Sequence, residues 1–438
     1  MKKRLCGWGR TQFVKTNALR PEFISDIKSM FQTSSSLISY GCGRSYGDQA
    51  LNKDSTLLLS RLNRFIAFDA EKLELICEGG VTLYDIQNTF LQRKAALITS
   101  PGTAFITVGG AIANDVHGKN HDRVGSFSEH VLWFDLLLAN GEIIRCSRTE
   151  NQKLFFATVG GMGLTGIIIT ACLQLQKHPI GVRVQNELIP DIATMIAQLR
   201  IAREQSTYSV AWIDMISRKN FGRGILSTGE PDETDDLGLK KTEVKISVAA
   251  PILLIGKYFL NRFTMHLFNL LYYTRLEKKQ KPAIQTLMQF LYPLDAIKNW
   301  NKIYGKKGFY QFQCVIPDEC AETGIFEIIN TVKKSSHVPY LVVLKTLGKN
   351  GEGLLSFPMR GFTVALDFPN HKDVLSLLKQ LEIITLKYKG RVYLAKDACL
   401  QPEDFPVMYP KLPEFQIILK EVDPDKKWQS EMSRRLKI

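Results

Sequence analysis

The stretch TVGGAIANDVHGKN, residues 107–120, sets a histidine among paired glycines and small side chains. Glycine lets a backbone approach a guest closely or take a positive φ. An imidazole with an unperturbed pKa of about 6.5 exchanges a proton near neutrality. His117 is therefore a candidate general base or proton relay. Lys396, in YLAKDA, follows three largely apolar positions at the end of a strand-like run. Burial there would lower its pKa, or leave it a fixed cation holding a phosphate or another anion.

Three glycine clusters are placed to hold a ligand beside such groups: YGCGRSYGD (40–48), PGTAFITVGGAIANDVHGKN (101–120) and VGGMGLTGI (159–167). Successive backbone N–H groups in turns of this kind form concavities for anions, and a pyrophosphate is a common guest. Tight turns between strands are the other reading of any single cluster. None matches a standard nucleotide fingerprint. GCGRSYG lacks the G-x-G-x-x-G spacing, VGGMGLTG precedes a strand and not a helix, and no G-x-x-x-x-G-K-[ST] occurs.

The elements that must carry these loops fall into two groups. The 438 residues are 45% hydrophobic and 23% charged, enough for two globular domains and too polar for a membrane bundle. Short β-type runs at 36–40, 57–59, 65–68 and 73–78 precede a helix over 82–94, capped by Thr82. Strands at 131–138 and 142–146 are joined through the Asn140-Gly141 hairpin signal, and a buried strand covers 166–175. Beyond about 178 come a helix at 190–204, a strand at 207–214, an acidic loop at 229–238, and strands at 309–317, 340–348 and 361–369, with a helix near 371–388. The expected class is α+β, its second domain an antiparallel sheet with helices.

A formal net charge of +14 favours anionic partners: nucleic acid, lipid headgroups or a phosphorylated small substrate. No zinc-finger, RNP-like or basic-region pattern supports nucleic acid, which is excluded as a partner. The eight cysteines lack paired spacing, so neither a disulfide scaffold nor a metal site is expected, and reduced thiols fit a cytoplasmic setting. The basic start MKKRLCGWGRTQFVK is not followed by an apolar signal region. The most apolar zone, 248–273, is broken by Pro251, Lys257 and Arg262, and reads as a buried helix and not a span, with a membrane-surface helix as the alternative.

The ordered set GCGRSYGD, SPGTAFITVGGAIANDVHGKNH, GSFSEHV, LLLANGEI and LFFATVGGMGLTGIII resembles the FAD-binding half of the vanillyl-alcohol oxidase (PCMH-type) flavoenzymes. Within them it resembles the oxidase subunits of decaprenylphosphoryl-ribose 2′-epimerases, through AWIDM (211–215), YQFQCVIP (310–317), VALDFP (364–369) and RVYLAKDA (391–398). The resemblance implies a two-domain PCMH-type fold: an FAD-binding domain over 1–178, a substrate domain over 179–390 and a C-terminal segment, 391–438, returning to the FAD domain. It implies FAD contacts from Gly41, Gly43, Arg44, Ser45, Tyr46, Gly47, Gly102, Thr103, Thr107, Val108, Gly109, Gly110, Asn114, His117, Gly163, Ile167 and Tyr393. Related enzymes tether the flavin through a histidine in the first loop. GRSYGD has none, so non-covalent FAD is expected.

The same resemblance implies oxidation of a secondary hydroxyl on a polyprenylphosphoryl sugar to a keto-sugar, with His117, Lys396 and Tyr46 as catalytic candidates and Trp212, Gln313 and Lys345 on the substrate side. A short-chain NAD(P)H-dependent reductase partner would complete an epimerisation, and the basic, partly apolar surface would meet the membrane peripherally. Alternatives are an aldonolactone or sugar-alcohol oxidase and a catalytically silent flavin-binding subunit. The chain departs from the family at Ala365, where mycobacterial members carry cysteine, and at Leu347 and Thr363.

Overall fold

The computed structural model describes residues 2–32, 34–217, 221–234, 262–277 and 281–438. The first sheet contains β1 (Lys2–Cys6), β2 (Phe13–Leu19), β3 (Leu37–Tyr40) and β4 (Ser55–Leu58) in the order β1-β2-β4-β3, antiparallel at β1/β2 and parallel elsewhere. The second contains β5 (Phe65–Asp69), β6 (Glu74–Glu78), β7 (Ala95–Leu97), β8 (Val131–Leu137), β9 (Ile143–Ser147) and β10 (Ile167–Lys177), in the order β5-β6-β10-β8-β9 with β7 paired to β10. Thr82 caps the helix Leu83–Phe90 with a reciprocal bond to Asp85. Asn140-Gly141 makes the β8–β9 turn, with Gly141 at φ +84°.

The third sheet starts at Gly181. It comprises β11 (Gly181–Ile189), β12 (Tyr208–Ile213), β13 (Gly224–Asp232), β14 (Ala283–Thr286), β15 (Phe309–Pro317), β16 (Leu341–Leu347), β17 (Gly361–Pro369) and β18 (Arg391–Val392), ordered β14-β11-β13-β12-β16-β17-β15-β18. All its pairings are antiparallel. Its central strands alternate with period two. Phe312, Cys314, Ile316, Val342, Leu344, Val364, Leu366 and Phe368 bury one face among the apolar side chains of the helices Ala321–Lys334 and Val374–Lys387. The opposite face carries Gln311, Gln313, Lys345, Thr363, Ala365 and Asp367, an unusually polar set for strands this deeply placed.

Two expectations change. The acidic loop at 229–238 begins as strand, since β13 runs through Asp232, and residues 235–238 lie outside the described residues. The apolar zone 248–273 is described only from 262, where a helix covers Arg262–Glu277. This part is not buried: Phe263, Phe268 and Leu271 are more than half exposed, and Leu267 and Tyr272 are exposed as well. Its inner contacts include Asn269 on Asp214, Tyr272 against Trp212 and Arg223 over the Tyr273 ring. No helix among the described residues is long and apolar enough to cross a membrane.

Candidate active site

A cleft of about 300 Å³ opens between the glycine loops and the polar face of the third sheet. The Gly41–Gly47 loop follows β3 directly, and Gly43 turns it at φ +62°. Among the described residues, none accepts a hydrogen bond from the backbone N–H groups of Gly41, Cys42, Gly43, Arg44 or Ser45. A run of free amides lining a cleft is an anion cradle. A Cβ on Gly41 would lie 2.4 Å from Thr107 Oγ1, and one on Gly47 would lie 2.2 Å from the Asp397 carbonyl oxygen. Gly102, by contrast, faces open space. Ser39 Oγ, Asn114 Oδ1 and His117 Nδ1, all on residues lining the cleft, are buried polar atoms without partners. Bare amides beside orphaned polar side chains suit a diphosphate-bearing, hydrogen-bonding guest such as FAD.

The C-terminal segment holds this loop from behind. The Tyr46 N–H donates to the Ala395 carbonyl at 2.9 Å, and Gln49 Nε2 donates to the carbonyls of Leu394 and Asp397 at 2.6 and 2.5 Å. Arg435 bridges Asp48 and Asp397 at 2.8 Å to each. Glu382, Asp397 and Cys399 bring three ligand-type atoms within 4.8 Å of one another. Asp397 is already engaged by Arg435 and by the N–H groups of Cys399 and Leu400, which leaves a poor cation site.

At the reactive end, Gln313 Nε2 lies 3.2 Å from His117 Nε2 and 3.2 Å from Thr363 Oγ1. An amide NH₂ only donates, so His117 accepts at Nε2 and carries its proton on Nδ1, the atom left without a partner. Burial first, and then the neighbouring Lys345, His121 and Lys396, hold the His117 pKa well below the ordinary histidine value. The ring is therefore neutral and a weak base, better suited to donating a hydrogen bond into the cleft than to taking a proton. Tyr393 donates its hydroxyl to the Asn114 carbonyl at 3.0 Å and stacks on Phe357, which also packs against His117.

Lys396 Nζ sits 3.8 Å over the Tyr46 ring. Burial lowers its pKa from the ordinary lysine value; Asp367 opposes that shift and Lys345 adds to it. Lys345 donates to the Gly118 carbonyl at 3.4 Å, and burial brings its pKa down to about 8. Burial also holds the Tyr46 phenol well above its usual range, so that it stays protonated. Arg44 stacks 3.9 Å over Trp8.

Of the residues singled out in the sequence, Gly41, Gly43, Arg44, Ser45, Tyr46, Gly47, Gly102, Thr103, Thr107, Gly109, Gly110, Asn114, His117, Gly163, Gln313, Lys345, Tyr393 and Lys396 line the cleft. Three do not. Val108 turns into the main core, because it opens the short helix Val108–Ala113 with its side chain inward. Ile167 packs with the apolar cluster beside β4, and its neighbours Gly166 and Ile168 face the cleft, as strand alternation requires. Trp212 is opposite Val343 in the β12–β16 pairing but one strand farther out, edge-on to Tyr272. Sequence reasoning missed Trp8, Trp300 and Gln311, which also line the cleft. For Gln311 the signal was present, as a polar residue alternating with buried Phe312.

The comparisons with known proteins agree with this geometry. An FAD-binding domain model matches residues 22–147, the span holding the first two glycine clusters. The chain is 35% identical over its whole length to decaprenylphosphoryl-β-D-ribose oxidase of Mycolicibacterium smegmatis, covering 98% of that protein. The chain belongs to this family of FAD-binding oxidoreductases. Within the family fold, a D-arabinono-1,4-lactone oxidase model matches residues 361–436. Shorter similarities reach L-gulonolactone oxidase of Bos taurus, 31% identical over 31% of this chain and 30% of that one, and cytokinin dehydrogenase 3 of Arabidopsis thaliana, 28% identical over 39% and 34%. As an oxidoreductase of this family the protein uses FAD, which supplies the two-electron acceptor.

Proposed function

We propose that the protein oxidises a secondary hydroxyl of a polyprenylphosphoryl sugar, the 2′-hydroxyl of a ribose-like unit, to the ketone. The observation that carries this reading is the cationic, polar sheet face opposite the glycine loops: Lys345 and Lys396 with Gln313 and Thr363, in a chain aligned end to end with a decaprenylphosphoryl-ribose oxidase. A phosphorylated sugar supplies the anion that such a face favours. Residues 41–49, Gly102, Thr107, Gly109, Gly110 and Asn114 would hold the cofactor, with Tyr393 closing the site through the Asn114 carbonyl.

In this reading Gln313 fixes the His117 tautomer, so that Nδ1–H orients the reacting group by hydrogen bonding. Lys396, partly neutral because burial disfavours its charge, takes the proton from the hydroxyl. Tyr46 supplies the aromatic face on which Nζ rests. Lys345 offers positive charge to the phosphate side. A keto-sugar is the natural substrate of a NAD(P)H-dependent reductase, whose delivery of hydride to the opposite face would invert the carbon. The exposed apolar side chains of the helix Arg262–Glu277 support contact with the lipid surface that carries such a substrate.

The lactone oxidase match over residues 361–436 favours a second reading, oxidation of a soluble aldonolactone. Anaerobic mixing separates the two. Bleaching of the bound flavin by polyprenylphosphoryl ribose and not by aldonolactones supports the first; the reverse result replaces it with the second.

A further inference from the structure

The turn at residues 100–104 reaches the cleft through Pro101, Gly102 and Thr103. Among the described residues, none accepts a hydrogen bond from the backbone N–H groups of Gly102 or Thr103. No helix or strand includes this stretch, so its shape is set by what it leans on. A Cβ on Gly102 would meet nothing within 4 Å, so neighbouring packing does not demand a glycine there. The space in front of it is cleft.

The support comes from residues 192 positions later in the chain. Tyr292 and Asp295 stand three apart around the 3-10 turn Pro293–Ala296, which opens on a proline. At three residues per turn, that spacing brings both side chains to one face. The face grips the loop on either side of Pro101 and Gly102. The Tyr292 hydroxyl and Ser100 Oγ share a hydrogen bond at 2.5 Å. Asp295 accepts from the Thr103 hydroxyl at Oδ1 and from the Ala104 N–H at Oδ2, each at 2.8 Å. Tyr292, Ser100 and Asp295 are all buried, so water is poorly placed to replace these bonds. Leu294, between the two gripping residues, lines the cleft, whereas Asp295 does not. The segment is moored nearby as well: Lys119 donates to the Phe290 carbonyl, and Asn301 Nδ2 donates to the Trp8 carbonyl at 2.9 Å.

We propose that Asp295 is a positioning residue for the cofactor, fixing from behind the turn whose free amides and side-chain-free Gly102 receive FAD. It acts through Thr103 and Ala104 and touches neither flavin nor substrate. This rests on the cofactor seat proposed above, and the test separates the two claims.

Flavin release from the holoprotein is followed by the return of free-flavin fluorescence on dilution. The visible circular dichroism of the bound flavin and the thermal midpoint are read on the same samples, for wild type, Asp295→Ala, Asp295→Asn, Thr103→Val and Gly102→Val. Asp295→Ala leaves two buried donors unmatched, and should release flavin about tenfold faster with an altered dichroism. Asp295→Asn keeps an oxygen for the Ala104 N–H and offers Thr103 Oγ1 a donor, so it should stay within about threefold of wild type. Thr103→Val keeps the shape, removes the hydroxyl, and should fall between the two. Gly102→Val adds bulk on the cleft side and should also speed release. Unchanged release and dichroism in Asp295→Ala overturn the proposal; a lower thermal midpoint alone marks a contact that only holds the fold. If Gly102→Val speeds release and Asp295→Ala does not, only the role of Asp295 falls; if neither does, the seat itself is misplaced. Should Asp295→Ala yield no holoprotein, Thr103→Val carries the test, and unchanged release there overturns the proposal equally.

Discussion

Gln313 and His117, 196 residues apart in the chain, meet across the cleft with Nε2 to Nε2 at 3.2 Å. This contact joins the third sheet to the loop after the second glycine cluster and decides which imidazole nitrogen carries the proton. Gln313→Leu keeps the bulk and removes the donor. Loss of one hydrogen bond of this kind costs about 1 kcal/mol, so flavin reduction by substrate should slow by about fivefold. Stopped-flow absorbance measures it, and a rate equal to wild type would show that the tautomer does not matter.

The acid–base behaviour of Lys396 gives a direction. Burial lowers its pKa, so its neutral, proton-accepting form is scarce below that pKa and abundant above it. Flavin reduction should therefore rise with pH towards neutrality and then level off. Lys396→Met should lose the rising limb and fall by about 10² to 10⁴ in rate. A limb retained in that variant would assign the proton to another group.

The apolar helix makes a prediction about surfaces. With Phe263, Phe268 and Leu271 exposed, the holoprotein should float with vesicles containing anionic lipid. Phe268→Glu together with Leu271→Glu should leave it in the soluble fraction while the flavin spectrum stays unchanged. Protein that remains soluble with or without these changes would remove the membrane from the account.

Asp115 predicts a pH-dependent stability effect. It accepts from the Ser356 hydroxyl and the Ser128 N–H, yet burial still raises its pKa to about 6. A carboxyl raised in the folded state opposes folding as pH climbs through that value, because the unfolded chain ionises freely. Ser356→Ala removes a compensating donor and should destabilise by about 1–3 kcal/mol, more at pH 8 than at pH 5. Urea denaturation at the two pH values reads this, and an equal loss at both would contradict the assignment.

The first loop offers no histidine to the cofactor, and Arg44 occupies the position after Gly43. Acid precipitation should release the yellow colour into the supernatant, with FAD recovered intact by chromatography. Colour retained in the pellet would mean a covalent link, for which Cys42 is the nucleophile on that loop.

Much of this arrangement was legible in the chain. The glycine clusters announced close backbone approach, and Gly43, Gly47 and Gly102 do face a ligand-sized cleft or support it. The strands β3 to β6, β8 to β10, β12 and β15 to β17 followed from alternation and turn signals, whereas β7, β11, β13 and β14 did not. Less legible was anything that depends on which strands become neighbours. Asp367 meets Gln311 across 56 residues, and no local pattern reports such a pairing or the return of the 391–398 segment. Trp212 went the other way: its motif suggested the substrate, and register put it one strand beyond the cleft. The apolar run 262–273 read as core because composition does not say whether an element is covered.

The hold of Leu394, Asp397 and Arg435 on Gln49 and Asp48 has a consequence for biogenesis. A nascent polypeptide that has displayed every glycine cluster still lacks the rear support of its cofactor loop until almost all of these residues have left the ribosome. Flavin capture should therefore be a late event, following synthesis and not accompanying it, and a protease that trims the tail of the mature molecule should discharge its flavin before it disturbs the sheets.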